Sequence, residues 1–343
     1  DSPILPNGST DGNSASLRYI VDAGLTIALS LRHHKKVNEE RSQRLNSELS
    51  SIIEAPHPEL LATGFRFTEG PLWNDDGFIY FVDIRKSRQL RWSRATGSQI
   101  AREDTGEGNG TTFDGQGRML MCEGGRRRIT RKEPDGAWVT IAERLDGKRI
   151  NRPNDILCHS NGTIYFTDPA SRLPESERDL DFSGVLMIST DGRLSVATDE
   201  CEYPNGLAFS PDEKIMYVAI SRLNDGCIAE KERGEVCKHQ FIRAFDVQPD
   251  GTLSNNRIFA DMSSAEDGVP DGMKIDSKGR IFCTGSGGCW VYEPDGKLLG
   301  IIKLPEIPAN LAFGGPDRRD LFFTARTSLY LMRTREPGLP GHP

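Results

Sequence analysis

Tyr203-Pro204-Asn205-Gly206-Leu207-Ala208-Phe209 is the stretch that decides the fold, because it joins a Pro-Asn-Gly turn directly to a short apolar strand. Proline fixes φ, and Asn and Gly both accept a positive φ, so this order of residues predicts a tight turn. The apolar run after it predicts a buried strand. Similar turn residues, each followed by an apolar run, recur along the chain, which indicates a repeat.

Four other stretches place a short oxygen-bearing residue just before an apolar strand. They are Glu69-Gly70-Pro71-Leu72-Trp73, Arg152-Pro153-Asn154-Asp155-Ile156-Leu157, Val269-Pro270-Asp271-Gly272-Met273-Lys274 and Ala309-Asn310-Leu311-Ala312-Phe313. Each repeating unit reads as strand, Asn-Gly, Asp-Gly or Lys-Gly turn, apolar strand, loop and apolar strand. The units are counted from Leu72, Phe113, Ile156, Leu207, Met273 and Leu311. Their spacing is near that of a four-stranded propeller blade.

We therefore predict an all-β fold, a six-bladed β-propeller over residues 57–335. The segment His57–Gly64 is a plausible strand to close the sixth blade. An irregular β-sandwich is the alternative, but it explains six similar units in series less well. Two insertions break the period: Arg172–Phe182, a candidate lid over the channel mouth, and Asn224–His239.

The two ends of the chain do not share this pattern. Residues 1–56 form an N-terminal extension, predicted to be disordered to about residue 16 and helical after it, and residues 336–343 form a C-terminal tail. The apolar run Leu17–Leu31 contains Arg18 and Asp22, so it is too short and too charged for a membrane span.

Composition excludes some classes of function. The 343 residues include 43 Lys and Arg against 50 Asp and Glu, a net charge of −7, which argues against a nucleic-acid surface. The sequence indicates a soluble protein but leaves open whether it is cytoplasmic or secreted, and it does not give the oligomeric state.

The seven cysteines cannot all pair within one chain, because their number is odd. Cys122, Cys158 and Cys283 lie in apolar strands and are most simply buried thiols. Cys227 and Cys237 bracket the second insertion, where a disulfide and two free thiols fit the sequence equally well. No CxxC pair occurs, which argues against a zinc or iron–sulfur site.

Four of the residues that precede strands form a candidate metal site. The innermost strands of a propeller start near one mouth of the central channel, so Glu69, Asn154, Asn205 and Asp271 are expected to meet there. Two carboxylates and two amide oxygens suit Ca²⁺ or Mg²⁺. A local turn role would account for any one of these residues alone. Four in register on four blades favour a metal.

The motifs also occur in the order found in a known family. The pieces that match are Thr68-Glu69-Gly70-Pro71, Phe113-Asp114 with Gly117-Arg118-Met119-Leu120, Cys122-Glu123-Gly124-Gly125, Arg152-Pro153-Asn154-Asp155, Tyr165-Phe166-Thr167-Asp168-Pro169, Pro204-Asn205-Gly206-Leu207-Ala208 and Pro270-Asp271-Gly272-Met273. Over roughly residues 57–335 the chain resembles the family of regucalcin (senescence marker protein), gluconolactonases and luciferin-regenerating enzymes.

This resemblance implies a propeller that holds a divalent metal, with Ca²⁺ favoured and Mg²⁺, Zn²⁺ or Mn²⁺ as alternatives. It implies that Glu69, Asn205 and Asp271 bind the metal and that Asn154 contacts metal or substrate. Arg152 and Asp155 resemble substrate-binding neighbours, and Asp271 resembles the family's candidate general base. The chain departs from many bacterial relatives in having Gly124 where they carry His, which weakens any transfer of sugar-lactone specificity.

The function expected from the sequence is therefore a metal-dependent hydrolase that opens a lactone, with a small sugar-lactone-like molecule as its partner. A phosphotriesterase or arylesterase at the same metal and a non-catalytic calcium-binding propeller are the alternatives. A relative of strictosidine synthase would leave the four oxygen ligands without a purpose. The six His residues fall on loops, strand ends and the two termini, and no nucleophile-elbow motif occurs, so His-based and serine-hydrolase chemistry are not expected.

Overall fold

Six four-stranded antiparallel sheets follow one another along residues 48–340, the part of the chain that this computed structural model describes. Most of the predicted helical extension lies outside the described residues. Of that extension, residues 48–50 are helical, and strand β1 (Glu59–Thr63) follows. The predicted tail is described as far as residue 340.

The first three blades are formed by strands that are consecutive in the chain. The first comprises β2 (Thr68–Asn74), β3 (Phe78–Asp83), β4 (Arg88–Ser93) and β5 (Gly97–Arg102). The second comprises β6 (Gly108–Phe113), β7 (Met119–Glu123), β8 (Arg128–Lys132) and β9 (Trp138–Ala142). A hairpin of β10 (Arg144–Leu145) and β11 (Lys148–Arg149) leads to the third, with β12 (Ile156–Cys158), β13 (Ile164–Asp168), β14 (Gly184–Ile188) and β15 (Leu194–Thr198).

The last three blades continue this order. The fourth comprises β16 (Pro204–Phe209), β17 (Ile215–Ile220), β18 (Phe241–Val247) and β19 (Leu253–Asp261). The fifth comprises β20 (Met273–Ile275), β21 (Ile281–Gly285), β22 (Gly288–Tyr292) and β23 (Leu298–Ile302). The sixth contains β24 (Pro308–Gly314), β25 (Asp320–Ala325) and β26 (Ser328–Arg333), and β1 is its outer strand. The six-bladed prediction is confirmed, and all six residues used to count the units lie on innermost strands.

Strand β1 closes the ring. It pairs antiparallel with β26, with Glu59 opposite Leu331 and Thr63 opposite Ser328, as the sequence predicted for His57–Gly64. Pairing the first strand with the last one completes the sixth blade and joins the start of the ring to its end.

Hydrophobic clusters fill the seams between neighbouring blades. Between the sixth and first blades, for example, Phe81 and Trp92 pack with Phe322 and Leu331. Burying each large apolar side chain contributes about 2 kcal/mol, so these seams supply much of the stability. The cluster between the fifth and sixth blades also includes Leu49, Ile52 and Ile53, so packing extends past the predicted boundary at residue 57.

The innermost strands approach one another closely at the axis. Each contacts the innermost strand of the next blade, and β24 contacts β2, so the ring is complete. Glycine makes this approach possible, because a Cβ at Gly206 would lie 2.1 Å from the carbonyl oxygen of Asp271. The Gly206 N–H donates instead to that oxygen at 3.0 Å. The same bond between blades occurs at Gly110 and Gly272, whose N–H groups donate to the carbonyls of Asn154 and Ala309 at 2.8 Å.

The two insertions have defined structures. Short 3-10 turns, Ala170–Arg172 and Glu175–Glu177, lie between β13 and β14. A helix, Gly226–Glu232, lies between β17 and β18, and a disulfide joins Cys227 to Cys237. The other five cysteines are buried free thiols, including the three for which burial was predicted. No helix within residues 48–340 has the length and apolarity needed to cross a membrane.

Candidate metal centre

A two-residue signature opens the innermost strand of each blade. Its first positions hold the side chains that face the mouth, in blade order Glu69, Asn109, Asn154, Asn205, Asp271 and Ala309. Its second positions are glycine in four blades and a polar residue in two, in the order Gly70, Gly110, Asp155, Gly206, Gly272 and Asn310. The four predicted metal ligands therefore do occupy equivalent positions.

The amides at this mouth form a hydrogen-bonded series. Asn109 Nδ2 donates to Asn154 Oδ1, and Asn154 Nδ2 donates to Asn205 Oδ1. Asn205 Nδ2 in turn donates to Ser221 Oγ at 3.0 Å. In this pattern the oxygens of Asn154 and Asn205 accept from neighbouring amides, which fixes which end of each amide is the acceptor.

The two carboxylates lie close enough to affect each other's protonation. Burial, and then the charge of Asp155, raise the pKa of Glu69 to about 7. Burial, and then the charge of Glu69, raise the pKa of Asp271 well above its usual range. Two buried carboxylates that repel each other are unfavourable without a positive charge between or beside them. A divalent cation would supply that charge.

The side-chain amide of Asn310 lies between the carboxylates of Glu69 and Asp155. Asn310 Nδ2 donates to Glu69 Oε2 at 2.9 Å and approaches Asp155 Oδ2 at 3.3 Å. Asp155 Oδ1 accepts from the N–H of Ile156 at 2.9 Å, and the side chain is 5% exposed. The Asp155 side chain is thus held inside the ring by these two neighbours, and its predicted role in substrate binding stays a prediction.

Arg152 lies at the rim of the mouth. Its guanidinium forms an ion pair with Glu107, and its stem passes over Gly124, whose Cβ would lie 3.3 Å from Arg152 Cγ. The glycine that distinguishes this chain from many bacterial relatives therefore accommodates the arginine side chain. The ion pair occupies some of the hydrogen-bond donors of Arg152. The predicted contact of Arg152 with substrate stays a prediction.

A second arginine, Arg172, reaches the same site from the first insertion. Its Nη1 donates to Asn154 Oδ1. Burial lowers the pKa of Arg172, and the nearby charges of Asp271 and Glu69 favour its cationic form. An arginine nonetheless stays protonated at any physiological pH. Arg172 therefore places a permanent positive charge beside Asn154.

The donor set fits a hard divalent cation. Two carboxylates and the amide oxygens of Asn154 and Asn205 are oxygen ligands of the kind that Ca²⁺ and Mg²⁺ prefer. Nowhere in residues 48–340 do three or more His, Cys, Asp or Glu side chains form a group able to hold a metal. A cation at this mouth would thus need the amide oxygens, and a soft-ligand metal site is not present in the described part of the chain.

Comparison with known proteins assigns the chain to a family. The family described as SMP-30/Gluconolactonase/LRE-like region matches residues 67–327. The chain belongs to the SMP-30/gluconolactonase/LRE-like family. This confirms the family indicated by the sequence motifs, and the match runs from just before Glu69 to the loop between β25 and β26.

This SMP-30/gluconolactonase/LRE-like protein is similar in sequence to two lactonases, and in sequence and fold to a gluconolactonase of known structure. A gluconolactonase of Zymomonas mobilis is 28% identical over 319 residues, 86% of each chain. Pentonolactonase XacC of Haloferax volcanii is 30% identical over 272 residues, 76% of this chain and 82% of the relative. The structure of a gluconolactonase from Xanthomonas campestris has 32% identity and a TM-score of 0.72, covering 83% of this chain and 92% of that one.

Three further residues at this mouth, Asn109, Asn310 and Arg172, were not predicted from the sequence of this SMP-30/gluconolactonase/LRE-like protein. Asn109 had a usable signal, because Asn109-Gly110 repeats the Asn205-Gly206 pair at the start of its own unit. Asn310 occupies the second position of its signature, so a search for the first position alone gives it no role. Arg172 has no motif, since it lies inside an insertion.

Proposed function

We propose that this protein is a metal-dependent lactonase, which binds a divalent cation at the channel mouth and uses it to open a cyclic ester with water. The observation that carries the proposal is the convergence of Glu69, Asn154, Asn205 and Asp271 on one mouth of the channel. The membership of a family that contains a gluconolactonase and a pentonolactonase supports the reaction class.

Glu69, Asn205 and Asp271 would hold the cation, and Asn154 would contact it or the substrate. When bound, a divalent cation polarises a lactone carbonyl and makes water more acidic. Ca²⁺ is the proposed ion, because half of the ligands are neutral amide oxygens and the set includes no nitrogen or sulfur. Mg²⁺, Mn²⁺ and Zn²⁺ are weaker candidates for the same oxygens.

Asp271 would act as the general base that takes a proton from the attacking water. It is partly exposed, and burial together with the charge of Glu69 raises its pKa. Because a bound cation makes a carboxylate that it contacts a weaker base, this role depends on the same cation making the attacking water more acidic. Arg152 and Asn154, and Asp155 behind them, would orient the hydroxyl groups of the substrate.

A substrate panel tests this proposal. Purified protein would be assayed on five- and six-membered aldonolactones, an aryl ester and a phosphotriester, each with Ca²⁺ and with a chelator. We expect lactone opening that requires the cation and exceeds turnover of the other two classes. Preferred turnover of the aryl ester or the phosphotriester would replace the lactonase assignment. Tight Ca²⁺ binding without turnover of any substrate would indicate a non-catalytic calcium-binding propeller.

A further inference from the structure

The insertion between β13 and β14 carries Arg172, whose guanidinium lies at the mouth. Several contacts hold this segment in place. Leu173 and Leu180 are 7% and 3% exposed, which ties the segment to the propeller. The N–H of Ala170 donates to Ser183 Oγ at 2.9 Å, which closes the base of the segment. Arg178 Nε donates to the Leu173 carbonyl at 2.9 Å inside it.

Contacts from the second blade and from the β10–β11 hairpin hold the far side of the segment. Arg127 Nη1 donates to the carbonyl of Glu177 at 2.8 Å, and the N–H of Arg149 donates to Asp179 Oδ2 at 3.0 Å. Anchoring at both sides fixes the position from which Arg172 projects. A side chain on such a support loses little further entropy when it binds a ligand.

Arg172 differs from the other two arginines near the mouth in its pairing. Arg152 forms an ion pair with Glu107, and Arg222 lies 2.9 Å from Asp225 Oδ1. Among residues 48–340, no carboxylate lies within salt-bridge distance of the Arg172 guanidinium. Its one hydrogen bond within that range runs from Nη1 to Asn154 Oδ1, so Nε and Nη2 keep their donors for a ligand.

A guanidinium with free donors in a fixed position is a binding site for an oxyanion. Arginine binds carboxylate and phosphate through two parallel hydrogen bonds, and such charge-assisted bonds are roughly twice as strong as neutral ones. A neutral sugar lactone offers only hydroxyl and carbonyl oxygens, which make no use of the positive charge.

We infer that the substrate is a lactone that carries a second, anionic oxygen group, a carboxylate or a phosphate, and that Arg172 binds this group. The inference rests on the proposed lactonase function and specifies its substrate class. Asn154, which touches Arg172 and belongs to the candidate metal centre, places the anionic group beside the lactone ring. Arg172 is then the residue that determines specificity.

Two other roles for Arg172 make different predictions. If Arg172 only balances the charges of Glu69 and Asp271, its removal changes Ca²⁺ affinity but leaves the choice among lactones unchanged. If Arg172 stabilises the oxyanion formed at the carbonyl, its removal slows the opening of all lactones by the same factor.

The test compares three lactones of similar ring structure: D-glucono-δ-lactone, its 6-phosphate and a monolactone of glucaric acid. The variants are Arg172→Gln, which removes the charge, and Arg172→Lys, which keeps it. Arg144→Gln is the matched control, because it removes the same charge from an exposed residue of the β10–β11 hairpin. Thermal unfolding checks that all variants are folded.

We expect the wild-type protein to favour the two anionic lactones over the neutral one in kcat/KM. Arg172→Gln should reduce kcat/KM for an anionic lactone by about 10- to 100-fold, with less than about threefold change for the neutral one. Arg172→Lys should restore part of the selectivity, and Arg144→Gln should behave as wild type. The anionic lactone whose kcat/KM falls more in Arg172→Gln shows whether Arg172 binds a carboxylate or a phosphate.

Equal loss on neutral and anionic lactones, or no loss on either, would overturn the inference. A wild-type protein that opens no lactone would instead contradict the proposed function. In that case calorimetric binding of neutral glucose and of the anions glucose 6-phosphate and glucuronate decides the role of Arg172. Tighter binding of the latter two, lost in Arg172→Gln, would support it, and equal binding of all three would refute it.

Discussion

The side-chain amide of Asn310 donates from Nδ2 to Glu69 Oε2 at 2.9 Å, across the seam where the sixth blade meets the first. This bond orients a candidate metal ligand, while Asn310 Oδ1 accepts from the N–H of Leu311 at 2.8 Å. Neighbouring groups that orient a ligand commonly change metal affinity as much as weak ligands do.

Removing this support should weaken the metal site. We expect Asn310→Ala to reduce Ca²⁺ affinity by about 10- to 100-fold, measured by calorimetry, because Glu69 loses its orienting donor. Asn256→Ala, which alters an asparagine on the outer strand of the fourth blade, is the control. Wild-type affinity in Asn310→Ala would show that Glu69 does not need Asn310, or that it does not bind the cation.

The raised pKa of Glu69 predicts how Ca²⁺ binding depends on pH. In the cation-free site this pKa is about 7, so below pH 7 the carboxyl holds a proton that Ca²⁺ must displace. Affinity should fall by about tenfold or more per pH unit below pH 7. Titrations from pH 5.5 to 8.5 measure this. An affinity that stays flat down to pH 5.5 would contradict it, and Glu69→Gln should bind weakly with a shallower pH dependence.

The second insertion supports the loop that leads into Asp271. Lys231 Nζ donates to the carbonyls of Glu266 and Gly268 and to Ser286 Oγ, each at 2.7 Å. We expect Lys231→Met to weaken Ca²⁺ binding about tenfold, because the loop loses three bonds close to a candidate ligand. Lys278→Met, at an exposed position, is the control. If Lys231→Met binds Ca²⁺ like wild type, the insertion has no influence on the centre.

A buried ion cluster away from the mouth stabilises the second blade. The fully buried Glu123 carboxylate lies 2.6 Å from Arg102 and 2.8 Å from Arg128. Glu123→Gln should lower the free energy of unfolding by about 3 kcal/mol, because it leaves partly buried guanidinium groups without a counter-charge. The matched control is Glu59→Gln, which removes an exposed ion pair with Arg94 and should cost less than about 1 kcal/mol. If denaturant titrations give the two variants a similar loss in free energy of unfolding, the buried cluster contributes no more than the exposed ion pair.

Much of the fold could be predicted from the sequence, because strands and turns depend on local pattern. The alternation of apolar strands with Asn-Gly and Asp-Gly turns predicted six blades, and the structure places a four-stranded sheet at each. The closing strand was also predictable, since Glu59–Thr63 had no other partner in the repeat. Glu69, Asn154, Asn205 and Asp271 could be nominated because the repeat gives them equivalent positions.

The remaining parts of the site depend on contacts between distant residues. Asn310 reaches Glu69 across a separation of 241 residues, and only the closure of the ring brings them together. The path of an insertion is set by packing, so the sequence predicted a lid over 172–182 without predicting that its first residue contacts Asn154. The Cys227–Cys237 bond likewise depends on how the insertion folds onto the loop at Ser264.

The most direct test of the central claim is the rate of lactone opening as Ca²⁺ is returned to chelator-treated protein, compared between wild type and Asp271→Ala. We predict that wild-type activity rises from near zero and saturates at the Ca²⁺ concentration that fills the site. The variant should stay inactive at every concentration. Full activity of the chelated protein, or full activity of Asp271→Ala, would contradict a lactonase centre formed by Glu69, Asn154, Asn205 and Asp271.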